Sequence, residues 1–184
     1  MKRMMHFGLA AILLVLASAP AFAQNKSDKE AAKAKEEQQM RENKELALKL
    51  INDKTFVLKA HTLYDRHLNS YQVQSNTNFV KINGDQAAVQ LAFNNVVGWN
   101  GLGGITVTGH LTGFQVSDQD GLGPITVRAD ISSNSSGFLS LYMTVFPDGL
   151  ARATVTGDFG SRVTFSGYFV DLDGSGIYQG QERY

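Results

Sequence analysis

The chain has 184 residues, with 17 Lys and Arg against 17 Asp and Glu, 18 glycines and no cysteine. That composition excludes disulfides, a lipid-modified N-terminal cysteine, thiolate zinc sites and a thiol nucleophile. The balanced charge shows no basic patch or stripe of the kind that meets nucleic acid, so no nucleic-acid partner is expected.

The first element is an export signal over residues 1–23. Lys2 and Arg3 give a positive start, Phe7 to Leu16 is an apolar run, and Pro20 precedes the small-x-small sequence Ala21-Phe22-Ala23, the pattern that signal peptidase reads. The run is shorter than the ~20 apolar residues that span a bilayer. The mature chain, starting at Gln24, is therefore expected to be soluble, secreted to the periplasm or beyond, and not membrane-spanning.

Residues 24–54 read as a charged helix and spacer. Ser27 and Glu30 form a capping box, so the helix is expected over residues 27–52. Glu37 to Arg41 and Glu45 to Lys49 stand four apart in the favourable acid-first order. Apolar residues at helical spacing appear only at its end, as Leu46, Ala47, Leu50 and Ile51. The last two turns can dock on a core, and the earlier ones have little to bury.

From Thr55 the period changes to two. Phe56, Leu58 and Ala60 alternate with Val57 and Lys59; Phe79 to Ile82 leads into Asn83-Gly84, a strong hairpin signal; and Ala87, Val89, Leu91 and Phe93 return on one face. Ile105 and Val107 alternate with Thr106 and Thr108, and Ile125, Val127, Ala129 and Ile131 with Thr126, Arg128 and Asp130. Such alternation marks antiparallel strands solvated on one side. Phe138 to Phe146 is apolar on both faces, which predicts a central strand with its outer face covered by Leu46 and Leu50 of the helix. Pro147-Asp148-Gly149 is a turn, and Ala151 to Thr156 with Val163 to Val170 makes the last hairpin. The fold class expected is all-β: an antiparallel up-and-down, lipocalin-like barrel of about eight strands over residues 55–170, preceded by one charged N-terminal α-helix.

With these elements in place the chain resembles a known family. Ile51-x-Asp53-Lys54-x-Phe56, Val80-x-x-x-Gly84-Asp85, the glycines around Gly103-Gly104, Thr144-Val145-Phe146-Pro147-x-Gly149 and Phe165-Ser166-Gly167 come in the order found in the secreted bacterial proteins catalogued as domain of unknown function four-two-five-one. The resemblance spans roughly Leu46 to Val170. It implies an exported lipocalin-like barrel and brings no activity or catalytic residues.

Residues 171–184 form an acidic, polar tail with the sharpest motif. Asp171, Asp173 and Ser175 fall at positions one, three and five of a calcium-loop template, Gly176 at six, Ile177 at seven and Glu182 at twelve, which supplies the oxygens and the sharp turn that calcium requires. A strand precedes this loop and no exit helix can follow it, so calcium is a candidate cofactor against a plain polar tail. His61, Asp65 and His67 match no named metal spacing, and His110 is isolated; ordinary histidines are the expectation. Gly98 to Gly104 lacks the Lys-Ser/Thr of a phosphate loop and leads into a strand. Trp99, among those glycines, is the candidate ligand-binding residue at the barrel mouth; the alternative is an anchor that holds the loop on the rim.

No Gly-x-Ser-x-Gly elbow or His-Glu-x-x-His helix is present, and no enzymatic activity is expected. The reading is a non-enzymatic binding module of the cell envelope with a small-molecule or glycan-like ligand. The alternative is an envelope protein–protein interaction or structural protein, with a hydrolase a distant third.

Overall fold

The computed structural model describes residues 20–92, 104–157 and 162–181, with side-chain environments from Asp28 onward. The chain divides into two units, Met1–Glu37 and Gln38–Tyr184. One helix, α1 (Pro20–Asn52), runs from the first into the second. It begins at Pro20, ahead of the expected Ser27–Glu30 box, because Pro is well suited to a first helical position and the alanines after it favour the helix. In the first unit the residues from Asp28 to Glu36 are exposed, and Lys33 Nζ lies 3.9 Å from Glu37 Oε1. No helix among the described residues is long and apolar enough to cross a membrane.

The second unit is built on β1 (Thr55–Tyr64), β2 (Ser70–Gln72), β3 (Phe79–Asn83), β4 (Gln86–Ala92), β5 (Gly104–Asp118), β6 (Ile125–Ser133), β7 (Gly137–Val145), β8 (Leu150–Gly157) and β9 (Arg162–Asp171). Every pairing is antiparallel, in the order β2-β1-β3-β4-β5-β6-β7-β8-β9, and β9 returns to pair with β1. Eight strands thus close an up-and-down barrel, with β2 as a short extra strand on the far half of β1. Closure leaves the barrel strands no free edge.

The two-residue rhythm sets the inside. Ile125, Val127, Ala129 and Ile131 of β6 are buried, as are Leu139, Leu141, Met143 and Val145 of β7 and Phe56, Leu58, Ala60 and Leu63 of β1. β1 keeps its inner face past Ala60 by a bulge at His61, where the register with β9 shifts. The β3–β4 hairpin turns at Gly84 and Asp85, between the paired Asn83 and Gln86. Gly84, with φ of 57°, fills the first central position of the turn, so the turn falls one residue later in the chain than one centred on Asn83-Gly84 would. Pro147-Asp148-Gly149 does turn the chain: Gly149 takes φ of 85°, and the Asp148 carboxylate accepts from the Leu150 N–H at 2.9 Å.

The expected cover for β7 is not found. Phe138, Tyr142 and Phe146 face outward and exposed, at 61, 46 and 42%. The helix instead closes one end of the barrel, where Ala47, Leu50 and Ile51 join the same core as Phe56 and Val145, while Leu46 is 55% exposed. The physical reason is the barrel itself. Its inner apolar surface has an open end to cover, whereas an outer face carrying Thr, Ser and Arg between its aromatics is already compatible with water.

Polar contacts fix this plug. The buried Lys44 ammonium lies 2.7 Å from Asp118 Oδ1 and donates to the carbonyls of Gln119 and, at 2.9 Å, Gly121 in the β5–β6 turn. Asn43 Nδ2 donates to the Pro147 carbonyl at 3.2 Å. At the helix exit Lys54 takes φ of 53°; its carbonyl accepts from Gly84 N–H at 2.8 Å, and its ammonium meets Asp85 Oδ1 at 2.9 Å.

Residues 171–181 are not a loose tail. They fold back over the outside of β1, β3 and β4, where Leu172 and Ile177 pack against Val57, Phe79 and Ala88. Gln90, fully buried on the outer side of β4, ties this strap to its neighbours with its whole amide. Its Nε2 donates to the carbonyls of Thr77 (2.9 Å) and Tyr178 (2.8 Å), and its Oε1 accepts from Thr106 Oγ1 (2.9 Å) and Gly180 N–H (2.7 Å). Asn78, also buried, exchanges two hydrogen bonds with the Ala92 backbone. Among the described residues no buried side-chain polar atom lacks a partner.

Candidate functional site at the open end of the barrel

The two ends of the barrel differ in kind. At the plugged end lie the start of β1, the β3–β4, β5–β6 and β7–β8 turns and the end of β9. The sequence elements on which the family resemblance rests meet largely there: Ile51 and Phe56 are fully buried, Lys54 pairs with Asp85, and Pro147 accepts from the helix. They are elements of closure.

The opposite end holds a cavity of about 450 Å³, lined by Val89 and Leu91 of β4, Ile105 and Val107 of β5, Leu139 of β7, Val155 and Gly157 of β8, Val163 and Phe165 of β9, and Ser135 and Ser136 of the β6–β7 turn. That volume lies in the range of small-molecule sites. Alternation aims these side chains inward, yet the described residues do not fill the barrel at this height. The usual relation of burial to facing is reversed here: inward Ile105 is 55% exposed, while Thr106, outward beneath the strap, is only 5% exposed. Apolar walls facing water are a free-energy cost of roughly 25 cal/mol per Å², which an apolar occupant would remove.

The chemistry of the lining is narrow. None of its described residues is titratable, so the described lining holds no charge with which to fix an ion. Ser133 Oγ accepts from the N–H groups of Ser135 and Ser136, both at 3.3 Å, which shapes the turn and sets two hydroxyls at the rim.

Of the residues singled out by sequence, those that are described lie elsewhere. Trp99 and Glu182 fall outside the described residues. Asp171, Asp173, Ser175 and Ile177 lie on the strap, away from the barrel interior. There Asp173 N–H donates to Asp171 Oδ1 at 3.0 Å, and the Lys59 ammonium donates to the Ser175 carbonyl at 2.5 Å. The side chain of Ile177 packs on the barrel. Among the described residues no three His, Asp or Glu side chains form a group able to hold a metal ion. His61 stands edge-on to Tyr168 at 5.4 Å, His67 accepts from Arg66 Nε at 3.0 Å, and His110 pairs with Gln86 at 3.2 Å.

Asp65 has a structural task. Its carboxylate accepts from Asn69 Nδ2 (2.8 Å), from the N–H groups of Asn69 (2.9 Å) and His67 (2.8 Å), and from Tyr71 OH (3.3 Å). The Asn69 amide above all, with the other donors, holds its pKa below the usual value.

A closed eight-stranded meander with one end plugged by a helix and an apolar mouth at the other is a β-barrel of lipocalin-like type. The chain belongs to the family described as Domain of unknown function (DUF4251), which matches residues 36–169. It is similar to a crystal structure of a DUF4251 family protein from Bacteroides eggerthii, at 32% identity and a TM-score of 0.58, over 69% of this chain and 86% of that one. No curated protein matches.

Proposed function

We propose that this protein is a non-enzymatic binding module, exported to the bacterial cell envelope, which holds a small apolar molecule in the open mouth of its barrel. The observation that carries the reading is the unfilled cavity of about 450 Å³ with Ile105 exposed on its wall. Its apolar lining favours an uncharged hydrocarbon body over a glycan at this position, and the rim serines offer a partner to one polar end group. The positive start, apolar run and Ala21-Phe22-Ala23 site support export.

A titration with the uncharged dye N-phenyl-1-naphthylamine tests the proposal. The expected result is blue-shifted, enhanced emission that a long-chain alcohol reverses. Leu139→Trp fills the mouth and should abolish the enhancement, whereas Ile105→Ser should weaken it at least about fivefold, roughly 1 kcal/mol, with little change in melting temperature. Dye binding unaltered in both variants would overturn the reading.

A second reading, an envelope interaction protein, draws on Leu46 and Phe146. Both are exposed beside a shallow depression of about 140 Å³ at the plugged end. Cross-linking from position 46 in the native envelope tests it; recovery of this chain alone would reject it.

A further inference from the structure

The outer face of β5 to β8 carries a second concavity, unlike the mouth in every chemical respect. One hollow of about 310 Å³ and another of about 330 Å³ share Gln115, Arg128 and Tyr142 in their walls, so they form one groove running across the strands. Strand register explains the alignment. Gln115 is paired with Arg128, Arg128 with Tyr142 and Tyr142 with Thr154, a single outward row over four strands. At a strand spacing of about 4.8 Å that row is roughly 14 Å long. The neighbouring row is Gly113, Asp130, Ser140 and Thr156. It begins just past the β5 bulge, where the register shifts between Leu111 and Gly113; a bulge bends its strand and re-aims the side chains beside it. Gly113 leaves the floor open, for a Cβ there would stand 3.1 Å from Asp130 Oδ2.

The groups in this groove are largely unspent. Among the described residues the Gln115 amide, the Arg128 guanidinium and the Tyr142 hydroxyl have no hydrogen-bond partner within the protein. The one directed contact of Arg128 is with the Tyr142 ring, 5.5 Å from its centroid, which holds the guanidinium over the groove. Asp130 accepts from Ser140 Oγ at 3.1 Å and keeps acceptor capacity on its second oxygen.

We infer that this groove is a binding site for a short neutral oligosaccharide. A sugar hydroxyl both donates and accepts, and the row offers both: guanidinium and amide N–H donors, carboxylate and amide acceptors, and flanking Thr and Ser hydroxyls that do either. Arg128 and Asp130 stand two residues apart on one strand face, so their charges cancel locally and an ionic ligand of either sign meets its own kind. The half-exposed Tyr142 ring is an apolar surface with a polar tip, suited to the C–H face of a pyranose. A peptide would need a strand edge or a deep apolar anchor pocket, and the closed barrel offers neither at this face. The site is separate from the apolar mouth and does not depend on it.

Backbone amide NMR of the isotopically labelled mature chain tests this, using short gluco-, xylo-, manno- and galacto-oligosaccharides and, as the acidic counterpart, oligogalacturonate at millimolar concentration. At least one neutral oligomer is expected to shift Gln115, Arg128 and Tyr142 while leaving Leu91 and Phe165 in place. Arg128→Ala and Tyr142→Ala should each weaken that binding about tenfold or more with an unchanged melting temperature. Both residues are exposed on the outer face, and a preserved amide spectrum verifies that the variants fold. The inference fails if no neutral oligomer shifts these signals, if only oligogalacturonate does, or if both variants bind as tightly as the parent.

Discussion

Gln90 Oε1 accepts a hydrogen bond from the backbone N–H of Gly180 at 2.7 Å, across ninety positions of chain. The same amide holds Thr77, Tyr178 and Thr106, so one side chain joins the β2–β3 connection, β5 and the C-terminal strap. Removing it takes the partner from the buried Thr106 hydroxyl and from the Thr77, Tyr178 and Gly180 backbone groups, and an unsatisfied buried group costs about 1–3 kcal/mol. Gln90→Leu is therefore expected to lower stability by at least about 2 kcal/mol. Truncation after Asp171 should cost a comparable amount, because it uncovers Val57, Phe79 and Ala88. Urea denaturation measures both, and full stability in the truncated chain would show that the strap adds nothing.

The plug gives a residue-by-residue contrast within two helical turns. Leu50 is 6% exposed and Ile51 fully buried, while Leu46 is 55% exposed. Leu50→Ala is expected to destabilise the barrel by about 2–5 kcal/mol and Ile51→Ala by a similar amount. Leu46→Asp should cost less than about 0.5 kcal/mol, as surface changes generally do. Thermal melts of the three variants settle the orientation; equal losses at positions 46 and 50 would contradict it.

These contrasts show where the sequence was legible. The β6 alternation of Ile125, Val127, Ala129 and Ile131 against Thr126, Arg128 and Asp130 has one solution, because a one-residue slip turns every apolar side chain to water. The helix had two. Leu46, Ala47, Leu50 and Ile51 form one broad stripe, and periodicity fixes the stripe without saying which half meets the core or which surface of the barrel it meets. The Ala47, Leu50 and Ile51 side was chosen by the shape of the barrel end. Outward Phe138 and Tyr142 misled for a related reason: a two-faced apolar strand suggests a cover, but aromatic residues also serve exposed sites. The mouth was legible as facing and illegible as volume. Val89, Ile105 and Val107 read as inward residues, and nothing in a period of two reports whether the space between them is filled. The strap carried a signal in Leu172 and Ile177, overshadowed by the acidic residues around them.

Asp65 organises the turn between β1 and β2, and its pH dependence follows in sign. Asn69 chiefly, then the other donors, depress its folded pKa below the ordinary 3.8. A depressed carboxylate pKa stabilises the fold above the unfolded pKa, and that contribution is lost as pH falls through the still lower folded value. Amide exchange at His67 and Asn69 is therefore expected to be unchanged from neutral pH down to about pH 4, after allowance for the intrinsic exchange rate, and to accelerate below it. Asp65→Asn should show the faster exchange already at neutral pH. Protection that persists in the Asn variant would remove the carboxylate from its role.

Gly167 gives a severe single substitution at the seam that closes the barrel. At the β1 bulge its backbone lies so close to β1 that a Cβ would sit 1.9 Å from the Lys59 carbonyl oxygen and 2.7 Å from Ala60 Cα. Both obstacles are backbone, and backbone cannot swing aside as a side-chain tip can. β1 is anchored on its other flank by β3, through Lys59 and Phe79 among other pairs, so relief must come from parting β1 and β9, the pair that closes the barrel. Gly167→Ala is accordingly expected to cost more than about 3 kcal/mol, in the range reserved for broken core geometry. Gly149→Ala, in an open turn with nothing within 4 Å of the added carbon but φ of 85°, should cost only about 1–2 kcal/mol of backbone strain. Denaturation of the two variants side by side checks the order. A smaller loss at Gly167 than at Gly149 would mean that the β1–β9 seam is looser than its register implies.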